Sequence, residues 1–327
     1  MQALVFSGPG QTEVRDWPEP RPGQGEVVLR VAAAGLCGTD RHIADGSYSA
    51  RSPVVLGHEI AGVVVEAGAG VKSLHGGDRV SVDPNLSCGT CAYCHNGRPH
   101  LCERLVSFGV SRDGGLAPYM AVPEGQCHHV PEGLGMEAAI LAEPLSCVIH
   151  ALDRVHTWSG MSAAVWGLGT AGIMMIQCLR TLGATSIIGV SHHARHREKA
   201  LRVGATAVLA TDGAEALSVD LAIEASGSLS AFESALGSLR KGGELLVYGV
   251  ANPEDAALVY PQRLFRDEIN IVSSFVGPYT MDRALRLLAA GSVDSAALLG
   301  DAVTLQEAAA WAVRSGPARN AKVYTVF

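Results

Sequence analysis

The sequence predicts an α/β protein in which a doubly wound parallel sheet domain is joined to a mostly β domain. Three observations carry that prediction. Residues 1–147 hold short β-type runs broken by Gly and Pro turns, residues from 148 alternate short apolar strands with longer helical patterns, and a G-x-G-x-x-G string spans 167–172. At 327 residues, 48% apolar and 17% charged, the chain is long enough for two cores.

In the first domain, Val27-Val28-Leu29-Arg30-Val31 and the stretch 60–66 are rich in β-branched residues and bounded by turn formers, which reads as antiparallel strands. Further along, Cys88, Cys91, Cys94 and Cys102 follow C-x2-C-x2-C-x7-C spacing in a lobe at about 84–104. Four thiolates so spaced can close a tetrahedral cage around one structural zinc ion, leaving no position open to a substrate. A disulfide network is the weaker reading. The opening Met1-Gln2-Ala3-Leu4-Val5-Phe6 has no charged n-region followed by an apolar h-region, and no apolar run is long enough to span a bilayer. A cytoplasmic, reducing setting is therefore expected. Of the eight cysteines, Cys127, Cys147 and Cys178 then read as small buried hydrophobes. A net charge of −7 and a pI near 5.9 argue against a nucleic-acid or anionic-membrane surface.

The second domain reads as 148–288. Its apolar strands at 163–166, 187–190, 207–209, 219–224 and 244–248 are separated by helical patterns such as 173–182 and 195–203, the signature of parallel βαβ units. The string Gly167-Leu168-Gly169-Thr170-Ala171-Gly172 follows the first strand and opens a helix, the Rossmann setting in which a dinucleotide pyrophosphate rests on backbone amides. The next strand ends at Ser191, 24 positions after Gly167, where an acid ordinarily holds the ribose hydroxyls of NAD. No acid stands there; His192, His193, Arg195, His196 and Arg197 follow instead. Removing an anion and adding cations favours a 2′-phosphate, hence NADP(H) over NAD(H). The same residues also read as a solvated helix face, with Ser191 making a neutral hydrogen bond to NAD. Residues 289–327, ending in the strand-like 322–327, are expected to return to the first domain.

Outside the cysteine lobe, Cys37-Gly38-Thr39-Asp40-Arg41-His42, Gly57-His58-Glu59 and Glu143-Pro144 each sit at a predicted boundary. One thiolate, one imidazole and one carboxylate are suitable zinc ligands that leave a coordination position open. Taken singly, Cys37 is also a plausible core residue, His58 a turn histidine and Glu143 a capping group. In combination and in this order, these motifs, the four-cysteine lobe, Glu143-Pro144-Leu145 and the glycine turn resemble the zinc-dependent medium-chain dehydrogenase/reductase family, in its sorbitol dehydrogenase-like alcohol and polyol branch.

The resemblance covers essentially the whole chain and implies a GroES-like catalytic domain beside the Rossmann domain. It implies a catalytic zinc held by Cys37, His58 and Glu143, with Glu59 able to approach the metal and Asp40 orienting His58. Thr39 would relay the substrate's hydroxyl proton and His42 carry it outwards, while hydride passes between alcohol and nicotinamide. Ser226, Gly249 and Ser274 fall where the resemblance puts cofactor contacts, although these turns also suit simple packing. The segment 211–218 is shorter than usual for the family, which shrinks or deletes a helix. The expected activity is interconversion of a secondary alcohol, polyol, cyclitol or amino-alcohol with its ketone by a homodimer or homotetramer. Its rivals are a biosynthetic carbonyl or double-bond reductase and a non-catalytic dinucleotide-binding redox sensor.

Overall fold

A computed structural model describes residues 1–214, 216–313 and 321–327. Two compact units divide the chain, one formed by Met1–Pro144, Pro278–Ala289 and Leu299–Phe327, the other by Leu145–Gly277 and Ala290–Leu298. The return is therefore interleaved rather than a single passage at 289. The helix Met281–Ala289 belongs with the first unit, where Asp282 accepts a 2.8 Å hydrogen bond from His128 Nδ1. Part of the expected return, 314–320, lies outside the described residues.

In the first unit the strand Glu26–Gly35 is the hub. One of its edges pairs antiparallel with Glu59–Ala67. The other is shared, with Tyr119–Pro123 along 26–30 and Lys322–Val326 along 33–35. Alternation makes this possible: Val27, Leu29 and Val31 point into a core with Ile60, Val64, Val80, Phe108 and Leu116. Each such side chain contributes about 1.5–3 kcal/mol on burial. The C-terminal strand thus becomes an interior strand of the first unit's main sheet, with Leu299–Ala302 beyond it.

The second unit is built on a six-stranded parallel sheet ordered Ala207–Leu209, Ser186–Val190, Ser162–Trp166, Val219–Glu224, Leu239–Val247, Asn270–Ser273. In chain order this is 3-2-1-4-5-6, the doubly wound arrangement whose ligand crevice lies at the carboxyl ends of the strands. Its central strands bury both faces, as parallel strands covered by helices must. Between the strands Ala207–Leu209 and Val219–Glu224, the described residues form only a 3-10 turn, Thr211–Gly213; Glu215 lies outside the described residues. Among the described residues no helix is long and apolar enough to cross a membrane.

Candidate active site

The first unit brings Cys37, His58 and Glu59 together, with a ligand atom from each lying within 4.8 Å of the others. Local chain geometry explains the convergence. Cys37 caps the helix Gly38–Asp45 in an extended conformation, so its thiol projects from the end of the hub strand. Asp40, with no exposed surface, accepts the N–H of Cys37 at 2.8 Å and that of Gly57 at 3.3 Å, tying both ligand loops to one carboxylate. Its Oδ1 stands 3.9 Å from His58 Nδ1, beyond hydrogen bonding, so it reaches the imidazole by charge alone. The turn that aims His58 requires Gly57, whose φ is 93° and where a Cβ would lie 2.7 Å from Leu116 Cγ.

Glu59 is also wholly buried and opens the strand Glu59–Ala67 opposite Gly35. A Cβ on residue 35 would fall 2.2 Å from Glu59 Oε2, so the glycine makes the channel in which this carboxylate runs. Lys322 Nζ holds the other oxygen, Oε1, at 2.5 Å and the carbonyl of Leu36 at 3.2 Å. Burial opposes the charge on Lys322, but Glu59, Cys37 and Glu143 outweigh it and hold the ammonium above its ordinary range. Sequence reasoning missed Lys322. The signal available was a lone cation opening an otherwise uncharged terminal strand.

Burial likewise opposes a charge on His58, yet the Cys37 thiolate and the carboxylates of Asp40 and Glu143 raise it well above its usual pKa. Glu143, buried on the helix Ala142–Asp153, is therefore close enough for its charge to act on both His58 and Lys322. His58 Nδ1 and Glu59 Oε2 are buried and have no hydrogen-bond partner among the described residues. A cluster of thiol, imidazole and carboxylates with orphaned donor atoms fits a divalent metal. Thr39 Oγ1 lies 3.8 Å from Cys37 Sγ, whereas His42, one helical turn on, is exposed and bonds Ser47 Oγ at 3.0 Å.

The second cluster comprises Cys88, Cys91, Cys94 and Cys102. Sulfurs on ~2.3 Å arms of a regular tetrahedron stand about 3.8 Å apart. Here Cys91–Cys94 is 3.5 Å and Cys88–Cys94 4.0 Å, bracketing that value and excluding disulfides. The N–H groups of Cys88 and Arg104 point at Cys102 Sγ, both at 3.3 Å, and that of Thr90 at Cys88 Sγ at 3.4 Å. Hydrogen bonds from Thr90, aided by Arg104, pull the Cys88 thiol down to about 5, so it is a thiolate ready for metal. Cys127, by contrast, is pushed up to about 12 by burial and the Glu124 charge, and Cys178 is buried.

In the second unit the three glycines of the turn do different work. Gly167 has φ 92° and would strike Ala225 and Ser226 at 2.8 Å if it carried a Cβ; Gly172 would meet the Gly167 carbonyl at 1.9 Å. Gly169 faces open space and caps the helix Thr170–Thr181 without a side-chain partner, leaving the helix N-terminal amides free for an anion. Ser226, Gly249 and Ser274 follow the carboxyl ends of the three strands on the far side. Glu224, 2% exposed and missed by sequence reasoning, organises that edge: its Oε1 accepts Ser226 N at 2.6 Å, Ser226 Oγ at 2.5 Å and Gly227 N at 2.9 Å. A Cβ on Gly249 would lie 2.1 Å from Gly227 N, so the packing role of these glycines is real. At the end of the second strand, Ser191 is buried, and its carbonyl accepts Arg197 Nη1 at 2.6 Å. Arg195 is exposed and His196 buried on the same helix.

Residues 23–132 match the family profile described as the alcohol dehydrogenase GroES-like domain, and 171–290 match that of zinc-binding dehydrogenases. The chain is 33% identical to a sorbitol dehydrogenase of Halalkalibacterium halodurans over 335 aligned positions, covering 97% of each chain. It also resembles a protein of Sinorhizobium meliloti described as a zinc-binding dehydrogenase and solved with NADP, at a TM-score of 0.97 and 32% identity, covering 100% of this chain and 99% of that one. An Escherichia coli protein described as an alcohol dehydrogenase and solved with NADH gives 0.93 at 26% identity, with 100% and 99% covered.

Proposed function

Because the chain belongs to the zinc-dependent medium-chain dehydrogenase/reductase family, in its alcohol and polyol dehydrogenase branch, we propose that its own substrate is a polyol or related secondary alcohol and that Cys37, His58 and Glu143 hold its catalytic zinc. The protein is an oxidoreductase that uses zinc and a nicotinamide dinucleotide. The carrying observation is the convergence of the Cys37 thiol, the His58 imidazole and the Glu59 carboxylate within 4.8 Å, with His58 Nδ1 and Glu59 Oε2 unpartnered among the described residues and Glu143 near enough for its charge to act on His58. When bound, the metal supplies Lewis acidity that makes an alcohol hydroxyl easier to deprotonate, and the nicotinamide supplies the hydride acceptor.

The chain's own residues do the rest. Asp40 holds the Cys37 and Gly57 backbones so that thiol and imidazole face one point. Lys322 holds Glu59 by one oxygen and leaves Oε2 without a hydrogen-bond partner among the described residues. Thr39 accepts the substrate's hydroxyl proton, and His42, exposed on the same helix face, hands it to solvent. Cys88, Cys91, Cys94 and Cys102 hold a second, structural zinc. Gly167–Gly172 receive the pyrophosphate, and the cations after Ser191 favour NADP(H).

A homodimer or homotetramer is supported by the edge strand Asn270–Ser273, which pairs with one strand only among the described residues, and by the exposed side chains of Ile271 and Phe265, the latter 87% exposed. The absence of a disulfide among the described cysteines suits the cytoplasm. The test is zinc content and turnover on a panel of polyols with NAD and NADP, in wild type and Cys37→Ser. Two zinc ions per chain falling to one, with turnover abolished, is the expected result; one zinc in both proteins sinks the catalytic-metal assignment.

A further inference from the structure

The basic end of the strand Ser186–Val190 carries an imidazole cluster as well as arginines. His193 caps the helix Ala194–Arg202, and its N–H donates to Ser191 Oγ at 3.2 Å. Its ring lies 3.9 Å from that of His192 and meets His196 edge-on at 4.9 Å. His196 is only 5% exposed, and its Nε2 has no hydrogen-bond partner among the described residues. Desolvation, His192 and Arg195 hold His193 below its ordinary range. Desolvation, His193, Arg195 and Lys199 pull His196 down to about 4. Both rings are therefore neutral near pH 7.

Among the described residues, the groups that act on the two rings are imidazoles and cations. The strands Ser186–Val190 and Ala207–Leu209, packed against the helix, have no titratable side chain, and the neighbouring helix Thr170–Thr181 offers Cys178 and Arg180. On their own helix the charged groups are Arg195, Arg197, Glu198, Lys199 and Arg202. Glu198 is exposed and does not offset Arg195 and Lys199 at these rings, so an anion arriving beside them favours their protonation.

We propose that His193 and His196 are specificity-determining residues that recognise a 2′-phosphate by taking up a proton from solvent as the dianion binds, so that preference for NADP(H) over NAD(H) depends on pH. The proposal rests on the reading of Ser191 as the ribose site. A dinucleotide with a free 2′-hydroxyl brings no charge to the rings and elicits no uptake. The preference is then strongest at low pH and fades as pH rises.

Calorimetric titration of the zinc-loaded protein with NADPH and NADH, in buffers of different ionisation enthalpy between about pH 7 and 8.5, tests it; there a phosphate monoester is already dianionic. We expect proton uptake with NADPH and none with NADH, and a ratio of NADH to NADPH dissociation constants that falls up to about tenfold per pH unit for each proton taken up. His193→Asn should abolish or halve the uptake and flatten the slope, and His196→Asn should do the same where it folds. NADPH binding tighter than NADH at a pH-independent ratio and without uptake overturns the imidazole proposal and leaves the cofactor reading standing. NADH binding tighter at every pH overturns the cofactor reading, and the proposal with it.

Discussion

At the residue scale the decisive pair is Glu59 and Lys322, joined at 2.5 Å across 263 positions of chain. Lys322→Met leaves a buried carboxylate without its cation, a defect that costs on the order of 3–5 kcal/mol. The urea midpoint should fall accordingly, and Glu59→Gln combined with Lys322→Met should recover most of the loss; equal midpoints for wild type and Lys322→Met would show the pair to be unimportant. Glu124 offers a pH-resolved case. Its carboxylate accepts Ser73 Oγ at 2.6 Å and the N–H groups of Ser73 and Lys72, which hold its pKa at about 2. A depressed pKa contributes stability above the unfolded value of about 4.3 that is lost as pH falls through the folded one. The stability gap between wild type and Glu124→Gln should thus be full at pH 7 and shrink steadily below about pH 4.

At the scale of elements, two local devices shape the sites. Glu224 gathers three donors onto one oxygen and so fixes the turn between the strand Val219–Glu224 and the helix Leu229–Gly237. Glu224→Ala strands those donors, at about 1–3 kcal/mol each where buried, and should weaken dinucleotide binding measured by fluorescence titration; Glu224→Gln keeps an acceptor and should restore much of it. The cysteine lobe is held by sulfur and little apolar packing, with Cys91 and Cys102 its buried members. Cys94→Ser should release one zinc, lower the melting temperature and open the 88–102 segment to proteolysis. An unchanged digestion pattern would mean that the lobe is held by something other than metal.

At the scale of the whole molecule, the strand Asn270–Ser273 ends its sheet and pairs with one strand only among the described residues, so it is the edge proposed for contact with a second copy. Ile271→Lys places a charge in that contact and should shift sedimentation to the monomer; an unaltered sedimentation coefficient would place the subunit contact elsewhere.

Much of this architecture is written in short-range pattern. The switch from turn-broken β runs to strand-helix alternation, the glycines at 167, 169 and 172, and the cysteine spacing at 88–102 each depend on neighbours within a few turns of chain, so periodicity and spacing determine them. The expectation that 322–327 returns to the first domain was also legible, from its strand-like composition. What the tertiary structure alone decided is which distant groups meet. It sets Lys322 on Glu59, through the pairing of Tyr324 with Gly35 and of Gly35 with Glu59. It gives the Asp40 carboxylate to two backbone N–H groups rather than to the His58 ring, and it draws Arg197 back onto the Ser191 carbonyl. Those outcomes hang on strand register and on the space freed by glycines at 35 and 57, quantities fixed only when the sheets close around one core.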